Sequence, residues 1–319
     1  MAIPGLSEIV TTTIQSRSGV LADNVSKNNA ILNRLSKKGN IKPVSGGDVI
    51  LQELDYAENG TYKRYSGYET LDVSPSQVFT SASYNYKQAA VAITISGLEE
   101  LQNAGEERII DLLESRIRNA ERTMANNLSL DMYSDGTASG SKQIGGLQLL
   151  VSDSPSTPTV GGISASTWSF WQNQQAAFGT AANGSILGAM NSLYTKLVRG
   201  NDVPDLIIAD NNTYTRYLKE LQVIQRVASD ETAQAGFVSL KYMNSDVVLD
   251  GGYGGNCPAD HMYFLNTNYI FFRPHSRRNM VPIGDDRFSV NQDALVRLIG
   301  FAGNMTVSNR FLQGVGTNT

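Results

Sequence analysis

The chain has 319 residues, of which 41% are hydrophobic and 18% are charged, and its formal net charge is −4. This length allows one large domain or two small ones, and the acidic balance argues against a protein whose affinity comes from a dense basic surface on nucleic acid. The single cysteine, Cys257, excludes an intrachain disulfide and a four-cysteine metal site. The sequence shows neither a signal-peptide pattern nor an apolar run of membrane-spanning length. We therefore expect a soluble chain that is not exported and that resides in a reducing compartment.

The first 45 residues are polar and rich in serine, asparagine and threonine. We interpret 1–45 as an extended, partly ordered arm, although a tail without a role would have the same composition. Within it, the stretch NNAILNRLSKKGN predicts a short helix that ends at Gly39.

Residues 49–95 are typical of β-strands, interrupted by a glycine- and tyrosine-rich tip with the sequence ENGTYKRYSGYET. The alternation is mostly polar, and Tyr, Thr and Lys stand where a buried sheet would have Val and Leu. A hairpin with so little apolar surface is marginally stable alone in water. The segment is therefore either mobile or supported by a neighbouring copy of the chain.

A long amphipathic helix is predicted directly after the hairpin, over 97–133. Ser96 and Glu99 form a capping box at its start, and Glu114 and Arg118 form a favourable pair four residues apart. Gly105 marks a weak point or a bend. Apolar residues recur mostly at steps of three and four, at Leu98, Leu101, Ile109, Leu113, Ile117, Ala120, Met124 and Leu128.

The rest of the chain mixes helix and strand signals, which favours an α/β or α+β domain. After a loop-rich connection with one short strand at 147–151, helices are predicted at WSFWQNQQAAF, SILGAMNSLYTKLVRG and NTYTRYLKELQVI. Strands are predicted at PDLIIADN, VSLKYMNSDVVLDG and HMYFLNTNYIFFRP. The closing stretch ALVRLIGFAGNMTVSNRFLQGV predicts two strands that turn near Gly303 and Asn304, followed by a polar tail.

The search for catalytic chemistry is nearly empty. His261 and His275 flank a strand and do not have the spacing of metal ligands. Asp210 follows a buried strand, where α/β enzymes often have an acid, but the asparagines Asn211 and Asn212 after it suit a helix cap. We therefore predict no catalytic residue, no metal and no cofactor.

Three further motifs are weak. The glycines of 251–255 lack the Lys-Ser/Thr pair of a phosphate loop, and Cys257 lacks a histidine at motif spacing. The acids Asp285 and Asp286 have the sequence context of an exposed turn. The basic stretch RPHSRRN is either an anion or nucleic-acid patch or a solvated turn that pairs with carboxylates of a neighbour.

The order of these elements resembles a known family. The stretches TISGLEEL, PDLIIADNNTYTRYLKEL, MYFLNTNYIFFRPHSRRN and QDALVRLIGFAGNMTVSNR are similar to the major capsid protein of tailed bacteriophages, which has the HK97-type fold. The resemblance covers the whole chain. It implies an α+β fold with an N-terminal arm (1–45), an extended E-loop hairpin (46–90), a P domain (83–139 and 284–312) with the spine helix 97–133, an A domain (140–283) and a C-terminal tail (313–319).

The resemblance implies a structural protein rather than an enzyme. Its members self-assemble as hexamers and pentamers into an icosahedral shell that encloses double-stranded DNA, so the chain would lie in the virion after assembly in the bacterial host cytoplasm. Its partners would be other copies of itself and non-specifically held DNA, with scaffolding, portal and decoration proteins as further candidates and no membrane. No scaffolding segment is apparent, and Lys63 and Lys87 lack a recognisable asparagine partner for a covalent cross-link.

Tyrosines and cations supply the candidate contacts between subunits. Tyrosine rings offer large, stiff, amphipathic surfaces, although ordinary strand preference also places tyrosines in hairpins. The candidates are Tyr56, Tyr62, Lys63, Arg64, Tyr65, Tyr68, Arg273, Arg277 and Arg278.

Two alternatives remain from the residues alone. A hydrolase that uses Asp210 with His261 or His275 would be a monomer or small oligomer with measurable turnover. A tail-tube or fibre subunit would form rings or filaments and would be dominated by β-strands. The long helix favours the shell.

Overall fold

A computed structural model describes residues 29–102, 106–179, 185–221, 239–250, 255–284, 287–288 and 293–318. Within them the strands form a six-stranded sheet, a four-stranded sheet and two hairpins. The helices of this part of the chain include none that is long and apolar enough to cross a membrane.

The predicted N-terminal helix is confirmed as α1 (Ala30–Lys37). The Asn29 side chain caps it by accepting the backbone N–H groups of Ile31 and Leu32 at 3.0 and 3.1 Å. The apolar side chains of α1 are buried, and Gly39 follows the helix with a φ of +70°. The part of the expected arm at 30–37 is thus a helix packed on the core rather than an extended segment, and 1–28 lie outside the described residues.

The predicted hairpin is confirmed as β1 (Val49–Asp55) and β2 (Phe79–Asn85), with Val49 opposite Asn85 and Asp55 opposite Phe79. Its inner face buries Ile50, Leu54 and Tyr84, whereas the outer face is exposed. Pairing stops at Asp55, so 56–78 form a long connection without strand structure.

Next come β3 (Lys87–Ser96), α2 (Gly97–Gln102) and α3 (Glu106–Asp131). The predicted capping box is present: the backbone N–H of Ser96 donates to Glu99 at 3.1 Å, and that of Glu99 donates to the Ser96 hydroxyl at 3.3 Å. The pair between Glu114 and Arg118 is also present at 2.6 Å.

The predicted apolar stripe of the long helix is confirmed in part. Ile117, Ala120, Met124 and Leu128 are buried, but Leu98 is 63% exposed, so its expected burial is wrong. The proposed bend at Gly105 and the side chains of 100–113 lie outside what is described.

The remaining elements follow in chain order. They are α4 (Ala138–Ser141), α5 (Leu147–Leu150), β4 (Thr159–Val160), β5 (Ile163–Ser164), β6 (Gln174–Ala177), α6 (Ile186–Leu197), β7 (Leu206–Ala209), α7 (Asn211–Leu221), β8 (Ser239–Tyr242), β9 (Ser245–Leu249), β10 (His261–Leu265), β11 (Ile270–Pro282), β12 (Arg287–Phe288), β13 (Ala294–Val307) and β14 (Gly314–Thr317). Two 3-10 turns lie at Ser169–Trp171 and Thr267–Tyr269. In α4 the two middle residues have left-handed backbone angles, so it is a turn rather than a regular helix.

The six-stranded sheet has the order β6-β14-β10-β7-β9-β8 and separates two hydrophobic clusters. One face carries Ile207 and Phe264 and packs against α6 and α7. The other carries Ile208 and Tyr263 and belongs to the main core, which also contains apolar side chains of α1, α3 and the hairpin.

The four-stranded sheet pairs β11 with β13, and β13 with both β12 and β3. The predicted division at 283/284 stays a prediction; β11 lies before it and β13 lies after it, and the two strands pair. The β11–β13 ladder therefore joins residues from both sides of this division. Phe272 of β11 stacks on Phe301 of β13.

Three local predictions fail, two of them where distant pairing overrides the local pattern. The expected strand at 147–151 is the helical turn α5, and the expected helix at WSFWQNQQAAF is a 3-10 turn followed by β6, which pairs with β14. The expected turn at Gly303 and Asn304 is also wrong, because β13 runs through it. There a Cβ on Gly303 would lie 2.6 Å from the Arg273 carbonyl, so the glycine permits close approach of two strands.

The expected C-terminal tail is wrong as well. Residues 314–317 form β14, buried between β6 and β10 in the six-stranded sheet. The glycines of this stretch are needed for packing. A Cβ on Gly316 would overlap the Phe178 ring, and a Cβ on Gly314 would lie 2.7 Å from the Leu197 side chain.

Candidate assembly surfaces

Asp210 caps a helix and has no free carboxylate oxygen for catalysis. Its carboxylate accepts the backbone N–H groups of Asn212 at 3.1 Å, Thr213 at 2.9 Å and Asp260 at 2.9 Å. The cap of α7 is therefore Asp210 rather than the asparagines after it.

The two histidines lie in different sheets, so they do not form one site. His261 contacts Asp153 through Nε2 at 2.9 Å and donates from Nδ1 to the Ala259 carbonyl at 2.6 Å. Burial lowers the pKa of His261, but the Asp153 carboxylate and the Ala259 carbonyl raise it above its usual range. Through Nδ1, His275 accepts the backbone N–H of Arg277 at 3.1 Å, in the irregular part of β11 between Pro274 and Asn279 rather than in a turn.

Cys257 is not activated. Burial and the nearby carboxylates Asp250 and Asp210 raise the pKa of this thiol well above its usual range, which disfavours the thiolate. The described residues contain no group of three or more side chains that could hold a metal ion. The motifs at 251–254 and 285–286 lie outside the described residues.

The connection between β1 and β2 forms a lobe on a closed neck. The neck is fastened by the backbone N–H of Tyr56, which donates to Val78 at 3.0 Å, and by the Ser76 hydroxyl, which donates to Asn59 at 2.7 Å. We refer to residues 60–75 as the lobe. All of its residues are exposed except Thr61, which is half-buried.

The lobe presents aromatic and basic side chains to solvent. Tyr62 is 80% exposed, Tyr65 is 62% exposed, and Tyr68 is fully exposed. Lys63 forms an exposed ion pair with Glu69 at 3.3 Å, which contributes little in water. Exposed rings grouped in this way are typical of a surface that another molecule covers.

Tyr56 differs from the lobe tyrosines because it packs within the subunit. Its ring stacks on Phe170 at a centroid distance of 5.3 Å and meets Trp168 edge-on at 6.3 Å. This candidate contact residue thus fixes the hairpin to the body of the protein.

The three candidate arginines on β11 also have different environments. Arg273 donates to Gln52 at 2.9 Å and lies over the Phe271 ring, and burial lowers its pKa. Arg278 donates to Gln88 at 3.2 Å, whereas Arg277 is exposed. Arg273 therefore ties β11 to the hairpin, and Arg277 is the most accessible of the three.

Arg310 is the most deeply buried cation of the described residues, and no sequence pattern indicated it. Its guanidinium donates to the carbonyls of Leu150 and Trp171, each at 2.8 Å, and to the Asn173 side chain at 3.0 Å. Burial lowers its pKa to about 10. A single arginine in a polar stretch looks like a surface residue, so only the fold reveals that it joins three segments.

Asp205 is a second joint that sequence reasoning missed. It accepts hydrogen bonds from the backbone N–H and the hydroxyl of Thr267, both at 2.7 Å, and it pairs with Arg34 and Lys38, both at 2.9 Å. These contacts attach α1 to the six-stranded sheet.

No protein-family model matches the sequence, and no curated protein matches it either. Solved structures do match. The capsid asymmetric unit of cyanophage A-1(L) has a TM-score of 0.65 and 16% identity, covering 88% of this chain and 90% of that chain. A chain of the satellite phage P4 procapsid, solved with its size-determination protein, has a TM-score of 0.55 and 15% identity over 94% of this chain and 90% of that chain.

The same fold occurs outside phages. An encapsulin complex from Synechococcus elongatus has a TM-score of 0.50 and 9% identity, covering 91% of this chain and 89% of that chain. Together these likenesses confirm that the chain has the α+β capsid fold of HK97 type.

Proposed function

We propose that this chain, which has the HK97-type capsid fold, is the major capsid protein of a tailed-phage head. It self-assembles as hexamers and pentamers into an icosahedral shell around double-stranded DNA. The observation that carries the proposal is the likeness to the cyanophage capsid subunit over 88% of this chain. A shell subunit acts through its surfaces and needs no reactive cluster.

The proposed division of labour follows the fold. Residues 46–90 are the E-loop hairpin that reaches a neighbouring subunit, and 1–45 are the N-terminal arm. The four-stranded sheet with α3 is the P domain, and the six-stranded sheet with α6 and α7 is the A domain, whose loops meet around the symmetry axes.

The candidate contact residues differ in side-chain exposure and in whether they already have a partner within the subunit. Tyr62, Tyr65 and Tyr68 are exposed on the lobe, and Lys63 and Arg64 lie between them. We propose that these five, with Arg277 on β11, contact neighbouring subunits. Tyr56, Arg273 and Arg278 have partners within the subunit and act by holding the hairpin and β11 in place.

A cellular shell of the encapsulin kind is a second candidate, because the encapsulin likeness covers almost the whole chain. The two differ in what the shell encloses. Double-stranded DNA that resists nuclease in particles built from this chain supports the phage head, and particles that hold protein without DNA support the encapsulin.

The first test is negative-stain electron microscopy of the purified protein, with size-exclusion light scattering on the same sample. We expect closed polyhedral particles, or hexamers and pentamers that convert to them. A stable monomer or dimer that crowding agents leave unchanged would overturn the proposal.

Deletion of 60–67 tests the role of the hairpin. This deletion leaves the neck bond between Asn59 and Ser76 in place. We expect a soluble chain with an unchanged free energy of unfolding that no longer closes shells. Normal particles from the deleted chain would show that the lobe is not part of the assembly contact.

A further inference from the structure

A groove runs along the neck of the hairpin, just below the lobe. One wall is the end of β1 with residues 57–59, and the other is formed by Arg199, Tyr269, Ser308 and Asn309. The volume is about 660 Å³. The groove adjoins a recess of about 310 Å³ that adds Phe170 and Phe311 to the apolar lining. A cleft of this size accommodates several side chains of an extended segment.

The groove carries unbalanced negative charge. Glu53, Asp55 and Glu58 are exposed on its hairpin wall, and no described cation lies within ion-pairing distance of them. The cation of the opposite wall is Arg199, which already pairs with Asp202 at 3.4 Å. The hairpin wall therefore attracts a positively charged guest.

The walls also suit aromatic side chains. Tyr56 and Phe170 form a stacked pair at one end, and the half-buried Tyr269 lies on the opposite wall, where its hydroxyl donates to Asp202 at 2.8 Å. The segment that fits this groove best therefore carries both basic and aromatic side chains.

One described segment of this chain has both properties. Lys63 and Arg64 lie between the exposed rings of Tyr62 and Tyr65 at the tip of the lobe. The tip lies outside its own groove, because its tyrosines face solvent and Lys63 turns back to Glu69. A tip and a groove on different parts of one subunit make a head-to-tail contact, which gives a ring where the rotation between copies closes and a filament where it does not.

We propose that the groove receives the lobe tip of a second copy of this chain. Lys63 and Arg64 of the partner subunit pair with Glu53, Asp55 and Glu58, and Tyr62 and Tyr65 of the partner subunit pack on the aromatic walls. This inference rests on the proposed self-assembly and names the receiving surface for the hairpin.

The test is charge reversal with rescue. One variant combines Lys63→Glu with Arg64→Glu, and a second combines Glu53→Lys with Glu58→Lys. All four side chains are exposed, so we expect both variants to fold. Each should lower the yield of hexamers about tenfold or more, because like charges now face each other. The chain that carries all four substitutions should regain most of that yield.

Mixing the two reversed variants gives a sharper outcome. The reversed tip fits the reversed groove, and the original tip of one variant fits the original groove of the other. Alternating copies can therefore close rings with an even number of subunits but not rings of five. We expect the mixture to restore hexamers, measured by light scattering and microscopy, without closed shells.

The matched control is Lys63→Arg with Arg64→Lys, which keeps both charges and should assemble normally. Full assembly of either reversed variant, or no rescue in the fourfold variant, would overturn the groove as the receiving surface. These outcomes are separate from failure of the proposed function, in which the unmodified chain itself forms no hexamers.

Discussion

The six-stranded sheet and the lobe of the hairpin are opposite in the way they are stabilised. In the sheet all four residues of β7 are buried, and polar joints such as Asp205 have partners for their carboxylate oxygens. In the lobe nearly every residue is exposed, and the rings of Tyr62, Tyr65 and Tyr68 face solvent. The core of the sheet is buried within one subunit, whereas the lobe would gain its stabilising contacts on the assembly that we propose.

The largest expected difference between a buried sheet and the exposed hairpin comes from removing one phenylalanine in each, Phe301 in the four-stranded sheet and Phe79 in β2. Phe301 is 1% exposed and stacks on Phe272 at 5.6 Å, so Phe301→Ala should lower the free energy of unfolding by about 3–5 kcal/mol. Phe79 is 75% exposed on the hairpin, so Phe79→Ala should change it by about 0.5 kcal/mol or less. Denaturant unfolding of both variants measures the contrast, and equal losses would contradict it.

A smaller loss is expected from Arg310→Met, which keeps the bulk of the side chain but removes its hydrogen bonds. Two carbonyls and the Asn173 amide lose their donor, so we expect a loss of about 3 kcal/mol in the free energy of unfolding. The control is Arg64→Met on the lobe, which should leave stability unchanged. A stable Arg310→Met protein would mean that water replaces the guanidinium.

Asp205 should make stability depend on acid pH. Burial raises the pKa of this carboxyl, but hydrogen bonds from Thr267 and the Lys38 ammonium lower it below its usual range. A depressed pKa means that Asp205 contributes stability above the pKa of the unfolded chain and loses it as the pH falls through the folded value. We expect Asp205→Asn to cost about 2 kcal/mol at pH 7 and less at acid pH.

Unfolding curves of Asp205→Asn and the unmodified chain across acid pH measure this dependence. Glu58→Gln, at an exposed carboxylate of the neck, is the matched control and should leave the free energy of unfolding at pH 7 unchanged. A constant gap between Asp205→Asn and the unmodified chain at every pH would rule out the ion pairs as the source of stability.

The smallest effect on stability is expected from the lobe. Replacing Tyr62, Tyr65 and Tyr68 together by alanine should change the free energy of unfolding by about 0.5 kcal/mol or less, since the rings contact solvent. The same variant should lower the yield of shells about tenfold or more, because buried tyrosines often dominate an interface. A large loss of stability without loss of assembly would reverse the comparison.

Local chemistry in the sequence predicted the elements that depend on neighbours along the chain. Ser96 and Glu99 marked the start of α2, and Glu114 and Arg118 formed the expected pair on α3. Predictions failed where partners come from far away in the chain. Nothing near Gln174 indicates that it lies beside Gly314, and nothing near Gly303 shows that another strand approaches it.

The candidate surfaces were predictable to the same extent. The tyrosines and cations of the lobe are consecutive, so the sequence alone suggested a contact surface. The neck groove is lined by segments near positions 55, 199, 269 and 308, and only the folded chain brings them together. The sequence thus indicated the tip of the hairpin but not the place that receives it.

The position of β14 has a consequence for the speed of folding. β6 is joined to the rest of the six-stranded sheet through β14, and the two strands come from distant parts of the chain. Closing such a long loop is entropically costly, so this edge of the sheet should form late. Until β14 packs on them, the side chains of Phe178 and Leu197 stay exposed and can contact other incompletely folded chains. In the shell that we propose, newly made subunits would have to complete this edge of the sheet before they meet.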